Sequence, residues 1–220
     1  GPVIPVIRTV HHVDDFTTQA LIDCQRQAIV EPDRILVVSQ TWQSTLQDDY
    51  GVPADIVPNG VRPERFPQIS ELQRTSLRES VGVTDGKLIL AVGGVEPRKG
   101  SRELFQALGI LKSRGHQIHL AILGGHSFQD YEDYRQEAIG LLPSLGLELG
   151  RDVITVGTVD EQALGQWFRA ADVLAYPSTK EGFGLVALEG LAADLPVVAS
   201  SIPVFKEFLT DGVSALLPET

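Results

Sequence analysis

Short apolar runs of strand length alternate along this chain with longer stretches in which apolar residues recur at helical spacing. Val3 to Val10 reads as a strand, interrupted by Pro5 and therefore at an edge or an entry point, and it ends on His11-His12. Thr17 and Thr18 offer N-caps for the helical stretch QALIDCQRQAIV, and Ile35 to Ser39 follows as a strand. Thr41 to Tyr50 reads as a second helix, stopped by Gly51, before a short strand from Ala54 to Pro58 closes on the Asn59-Gly60 turn. These units run β-α-β-α-β.

Pro63 to Pro67 is polar and proline-containing, the composition of a linker. This predicts an incomplete first domain over residues 1–62, a linker over 63–70 and a second domain over 71–220 that stops short of its final helices. After a helix near Leu72 to Val81 come six apolar runs: Leu88 to Val92, Ile118 to Leu123, Val153 to Val156, Val173 to Tyr176, Pro196 to Ala199 and Ala215 to Leu217. Helical stretches separate most of them, which implies an α/β fold with a parallel sheet covered on both faces. In the dinucleotide-fold strand order 3-2-1-4-5-6, strands one and four of this set are neighbours, and ligands bind outside their carboxyl ends. The loop GGVEPRKG, Gly93 to Gly100, then lies beside the loop that follows Tyr176.

That second loop leads into EGFGLVALEG, Glu181 to Gly190. A strand ending at Tyr176, the turn residues Pro177-Ser178, Gly182 and Gly184, and a helix resuming at Leu185 make a strand, glycine turn and helix. The amides of Gly182, Phe183, Gly184 and Leu185 at such a helix start favour an anionic group such as a phosphate. Glu181 and Glu189, with seven residues between them, suit hydroxyls flanking that phosphate. The simpler alternative is that Glu181 merely favours the helix dipole and Glu189 is solvated. Lys99, between Arg98 and Gly100 and just before the helix RELFQALGILK, places a cation where a diphosphate would lie, unless Arg98 and Lys99 are ordinary surface residues. Neither G-x4-G-K-[ST] nor G-x-G-x-x-G occurs in the loop, which excludes a Walker site and disfavours NAD.

Composition narrows the function further. With 220 residues and 43% hydrophobic content the chain is globular, and its formal charge of −11 opposes a nucleic-acid groove. The single cysteine, Cys24, excludes an internal disulfide framework and sits within a helical pattern, as a buried helix cysteine does. No run approaches the ~20 apolar residues of a membrane span and no basic-then-apolar signal opens the chain, so a soluble cytoplasmic protein is expected. The chain starts at Gly1, lacks methionine and enters PVIPVIRTV at once, which suggests a fragment. Asp14-Asp15 fits helix capping better than a metal pair, and His116, His119 and His126 show no ligand spacing. No metal site is expected. Trp42 and Trp167 read as packing residues, and Asp172 as a turn acceptor.

E-x7-E with GFG after its first Glu, preceded by a strand ending in Tyr-Pro-Ser, resembles the nucleotide-sugar-dependent glycosyltransferases of the GT-B fold, specifically the large retaining family 4. IVPNGVRPERF is similar to the hinge of that family, with Arg62 where the family usually has Asp, and TVHH is similar to its T-V-H at His11. The resemblance implies a GT-B enzyme with a Rossmann-like, nucleotide-sugar-binding C-terminal domain and the last part of a Rossmann-like acceptor domain. It implies Glu181 against the donor sugar, Glu189 against the ribose, Lys99 on the leaving diphosphate and His11 facing the transferred sugar. The family often carries an Arg where this chain has Gly94, so either Arg98 substitutes for it or a cation is missing there. A UDP- or GDP-linked sugar would be the donor, a sugar, lipid or small molecule the acceptor, and no cofactor or essential metal is implied. A sugar-nucleotide epimerase of the same twin-domain fold and a non-catalytic nucleotide-binding module remain open alternatives.

Overall fold

A computed structural model describes residues 4–125 and 131–219, and His126 lies outside them. Two all-parallel sheets carry the fold. Strands β1 (Ile7–Val10), β2 (Arg34–Val37) and β3 (Ala54–Ile56) pair in the order β1-β2-β3, with helices α1 (Gln19–Val30) and α2 (Gln40–Tyr50) as crossovers. Helix α3 (Glu71–Glu79) then precedes β4 (Lys87–Val92), α4 (Ser101–Ser113), β5 (Ile118–Leu123), α5 (Glu132–Gly140), β6 (Val153–Gly157), α6 (Glu161–Ala170), β7 (Val173–Tyr176), α7 (Leu185–Ala192), β8 (Val197–Ala199) and α8 (Pro203–Lys206). The second sheet runs β6-β5-β4-β7-β8, so its first strand sits between its second and its fourth. The sixth expected strand is reduced to a single parallel bridge, Val198 with Leu216, because Asp211 to Ala215 is taken up by a turn of its own.

The chain packs as two compact units that do not follow its linear order. The smaller gathers Gly1–Gly60 with Glu181–Gly184 and Ile202–Phe208, and the larger holds Val61–Lys180, Leu185–Ser201 and Leu209–Thr220. In the smaller unit Val10, Ile29, Ile35, Val37, Val38, Trp42 and Leu46 form the core, and Phe183 packs against it. Helix α2 starts where the Ser39 side chain accepts from the Trp42 amide at 3.2 Å, and it ends at Gly51, whose φ of 67° is left-handed. Glu207 completes the start of α2, accepting from the Gln40 and Thr41 amides at 2.8 Å each. Helix α1 differs from expectation. It buries Ile29 alone, so Cys24 is exposed, and Thr18 occupies its N-cap without a side-chain cap bond. The N-cap position of α1 is not Asp14, whose carboxylate lies 3.4 Å from His12 Nε2 and whose backbone is bracketed by the Gln25 side-chain amide at 2.9 and 3.0 Å.

The larger unit is built on the near-continuous apolar strands that a sheet buried on both faces requires. Leu88, Leu90, Leu120, Ala121, Val153 and Leu174 are all fully buried, as is Trp167 on α6. Asp172 anchors the start of β7: its carboxylate accepts from the Leu88 amide at 2.7 Å and from Arg74 and Arg78 at 2.9 Å each. Burial opposes its ionisation, but the Leu88 amide and the two guanidiniums outweigh that and hold the carboxyl below its ordinary range.

Residues 63–70 have a linker's composition but not a linker's structure. Pro63–Arg65 forms a 3-10 turn, Phe66 is buried edge-on against Phe168 with ring centroids 5.4 Å apart, and Ser70 with Gln73 makes a capping box for α3. Arg169 Nε and Nη2 both donate to the Phe66 carbonyl, at 2.9 and 2.7 Å. Prolines that exclude helix and strand here shape a tight turn docked on α6, with the packing supplied by Phe66. Among the described residues, no helix is long and apolar enough to cross a membrane.

Candidate functional site

Strands β4 and β7 are neighbours, yet β4 leads through α4 to β5 on one side and β7 leads through α7 to β8 on the other. Their crossovers diverge and leave a crevice at their carboxyl ends. The two loops touch there. The Thr179 amide donates to the Arg98 carbonyl at 2.9 Å, and a Cβ on Gly100 would lie 2.3 Å from the Pro177 carbonyl oxygen. Gly100 also has a φ of 64°, so it turns the chain from the 3-10 turn Pro97–Lys99 into α4 in a conformation and a space that suit only glycine.

Lys99 occupies the crevice. Its stem passes so close to Gly93 that a Cβ there would sit 2.6 Å from Lys99 Cε. Its ammonium donates to the Tyr176 hydroxyl at 3.2 Å and lies 4.8 Å from the centre of that ring. Gly94, Lys99, Tyr176 and Pro177 share the lining with Val92. Arg98, by contrast, is half exposed and its Nε lies 3.2 Å from Oε2 of the buried Glu96, so part of its charge is answered within its own turn. Gly94 faces a second pair of glycines that the sequence reading passed over: its Cβ would lie 2.7 Å from the Gly125 carbonyl, and one on Gly124 would lie 2.7 Å from the Gly94 amide nitrogen. The doublets Gly93-Gly94 and Gly124-Gly125 end adjacent parallel strands, and that repetition was the available signal.

Glu189, on α7, is not a solvated helix residue. Its side chain is 10% exposed, and Oε1 accepts from Arg65 Nη1 at 3.1 Å. Arg65 in turn places Nε 2.5 Å from Glu161 Oε1 on α6. Burial raises the Glu189 pKa; Arg65 opposes the shift, Glu161 adds to it, and the net direction is upward. Arg65 was hidden from sequence reasoning by its place in a segment with linker composition.

The segment Glu181–Gly184 packs with the smaller unit. There the Gly182 carbonyl accepts from Trp42 Nε1 at 2.8 Å, and a Cβ on Gly182 would lie 2.6 Å from the His11 carbonyl oxygen. Phe183 stacks on Phe208 with centroids 5.1 Å apart, and a Cβ on Gly184 would lie 2.4 Å from the Phe205 ring. His11 is thereby brought to Gly182 through its backbone, with its side chain exposed, while His12 lies 3.4 Å from Asp14. Leu185, the first residue of α7, is 40% exposed. Among the described residues, no group of His, Cys, Asp and Glu is arranged to hold a metal ion.

Sequence comparison identifies relatives of this arrangement. Residues 73–220 match the profile of Glycosyl transferases group 1, and residues 1–65 that of Glycosyltransferase Family 4. The D-inositol 3-phosphate glycosyltransferase of Xylanimonas cellulosilytica is 32% identical over an alignment covering 97% of this chain and 54% of that protein. An uncharacterized glycosyltransferase of Methanocaldococcus jannaschii is 28% identical over 97% of this chain and 56% of its own length. The chain thus spans about half the length of the curated relatives it matches. Among solved structures, the Anabaena HepE protein in complex with UDP-glucose superposes with a TM-score of 0.85 at 23% identity, covering 98% of this chain and 58% of that one. The C-terminal domain of the group 1 glycosyl transferase LpcC from Francisella tularensis gives a TM-score of 0.61 at 26% identity, covering 73% of this chain and 80% of that one.

Proposed function

Because the chain belongs to the group 1 glycosyl transferases and has their GT-B, Rossmann-like α/β architecture, we propose that it forms the donor-binding part of an enzyme that transfers a sugar from a nucleoside diphosphate to an acceptor hydroxyl with retention of configuration. The observation that carries this reading is the meeting of the β4 and β7 loops around Lys99, where glycines at 93, 94 and 100 let the Lys99 stem, the Gly125 carbonyl and the Pro177 carbonyl pack close, so that the cation is held at the carboxyl ends of the two strands. In this reading Lys99 neutralises the diphosphate together with Arg98 and the Gly94 amide, and the amides of Gly182 to Leu185 are further donors suited to an anionic group. Glu189 accepts from the ribose, Glu181 from the donor sugar, and His11 faces the transferred sugar. The HepE structure supports a nucleotide sugar as the ligand class, since that relative holds UDP-glucose.

The reaction follows from where charge develops. The bond between the anomeric carbon and the β-phosphate oxygen breaks, leaving an oxocarbenium-like sugar and a diphosphate carrying the extra charge. In this reading the Lys99 cation and backbone amide dipoles stabilise that charge. The acceptor oxygen bonds to the same face of the anomeric carbon, and its proton passes to the departing phosphate oxygen. No step calls for a bound metal. Thermal-shift titration with UDP, GDP, ADP and their sugars tests the reading, since a ligand that binds only the folded state raises Tm. A folded chain that responds to none of them overturns it.

A further inference from the structure

From the interlocked contacts of Arg65 with α6 and α7 we infer that Arg65 is a positioning residue for nucleotide recognition, holding the Glu189 carboxylate by one oxygen so that the other meets the ribose hydroxyls. The inference rests on the nucleotide reading above and assigns the function of a residue that lies outside its motifs. Arg65 is 124 positions away from Glu189, yet its backbone is fixed from two directions. A Cβ on Gly165 would lie 2.2 Å from the Arg65 carbonyl oxygen, so α6 approaches as closely as only a glycine permits. The next carbonyl, of Phe66, receives two bonds from Arg169, and the Phe66 ring is sealed against Phe168.

The fixed backbone delivers a guanidinium between two carboxylates. Glu161 Oε1 lies 2.5 Å from Nε as an ion pair without hydrogen-bond geometry, and Nη1 donates to Glu189 Oε1, which leaves Oε2 as the acceptor for a ligand. A guanidinium is planar and always charged, so with its backbone clamped and Nη1 bonded to Oε1 it fixes where the carboxylate points. A buried carboxylate without that partner would take up a proton or rotate, and in either state it is a poorer acceptor for a hydroxyl pair.

The test compares Kd values for a nucleoside diphosphate and its 2′,3′-dideoxy analogue, using whichever of UDP, GDP and ADP the wild-type chain binds. The wild type should prefer the ribose form by roughly tenfold or more, the scale of one charge-assisted hydrogen bond. Arg65→Gln should abolish that preference as Glu189→Gln does, while affinity for the dideoxy form stays within about twofold; Arg65→Lys, if Arg65→Gln folds poorly, should keep the charge, lose the planar, directed Nη1 bond and show a reduced preference. A variant that loses affinity for both forms equally, or that retains the wild-type preference, overturns the positioning role and leaves the nucleotide reading intact. A wild-type chain that binds none of the three diphosphates sinks the nucleotide reading, and this inference with it.

Discussion

The Lys99 ammonium donates to the Tyr176 hydroxyl at 3.2 Å, joining the loop after β4 to the end of β7 through their side chains. Tyr176 is buried, so its hydroxyl is a fixed acceptor that holds the cation over the crevice. Lys99→Ala should weaken nucleoside diphosphate binding by about 1.5–3 kcal/mol, some tenfold to hundredfold, while leaving nucleoside binding nearly unchanged. Tyr176→Phe keeps the ring and should cost less. Calorimetry with a diphosphate and its nucleoside checks both, and equal losses for the two ligands would remove Lys99 from the phosphate.

Glu189→Ala removes a buried acceptor and leaves Arg65 with Glu161 alone. Nucleotide affinity should fall by about 1.5–3 kcal/mol, the worth of a hydrogen bond to a charged group. An unchanged dissociation constant in a folded variant would exclude Glu189 from ligand binding.

Stability should decline on acidification through Asp172 and Asp152. Burial disfavours the Asp152 carboxylate, but Lys112 Nζ at 2.5 Å and the Glu148 amide outweigh it, so both carboxyls lie below their ordinary range. A group whose folded pKa is depressed contributes stability above its unfolded pKa, about 3.9 for Asp, and loses that contribution as pH falls through the folded value. Asp172→Asn should be less stable at pH 7 and show a flatter dependence of unfolding free energy on pH below about 4. Parallel curves for variant and wild type would show that the ion cluster does not drive the acid response.

If the reaction runs as proposed, the full-length enzyme should retain anomeric configuration and stay active in EDTA. NMR of the product settles the stereochemistry, and activity lost to chelation and restored by a divalent ion would overturn the metal-free mechanism.

The second sheet was legible because its strands are buried on both faces and so read as continuous apolar runs; the order of the first five followed from topology alone. Helices were legible where a cap or a stop residue marked them, as Gly51 does for α2. What escaped was tertiary. Nothing local distinguishes Cys24 on an exposed helix from a cysteine in a core, and nothing in PERF announces that Arg65 faces Glu189 across 124 positions. Glu207 is equally silent, since a helix cap supplied from 167 residues away has no sequence spacing to betray it. The doublet Gly124-Gly125 was readable, as it repeats Gly93-Gly94 at the end of the neighbouring strand.

Synthesis of a protein is directional, and the smaller unit draws together segments that lie more than a hundred residues apart in this sequence. A ribosome that has released residues up to Gly60 has delivered three strands and two helices, but neither the Glu207 carboxylate for the start of α2 nor the carbonyl that Trp42 Nε1 needs. Phe183, Phe205 and Phe208 arrive only when most of the larger unit has already emerged. Residues 4–60 therefore lack these partners until most of the larger unit has emerged. Their half-built state must be tolerated, or shielded by a chaperone, for the time that well over a hundred peptide bonds take to form, at about 5–20 residues per second.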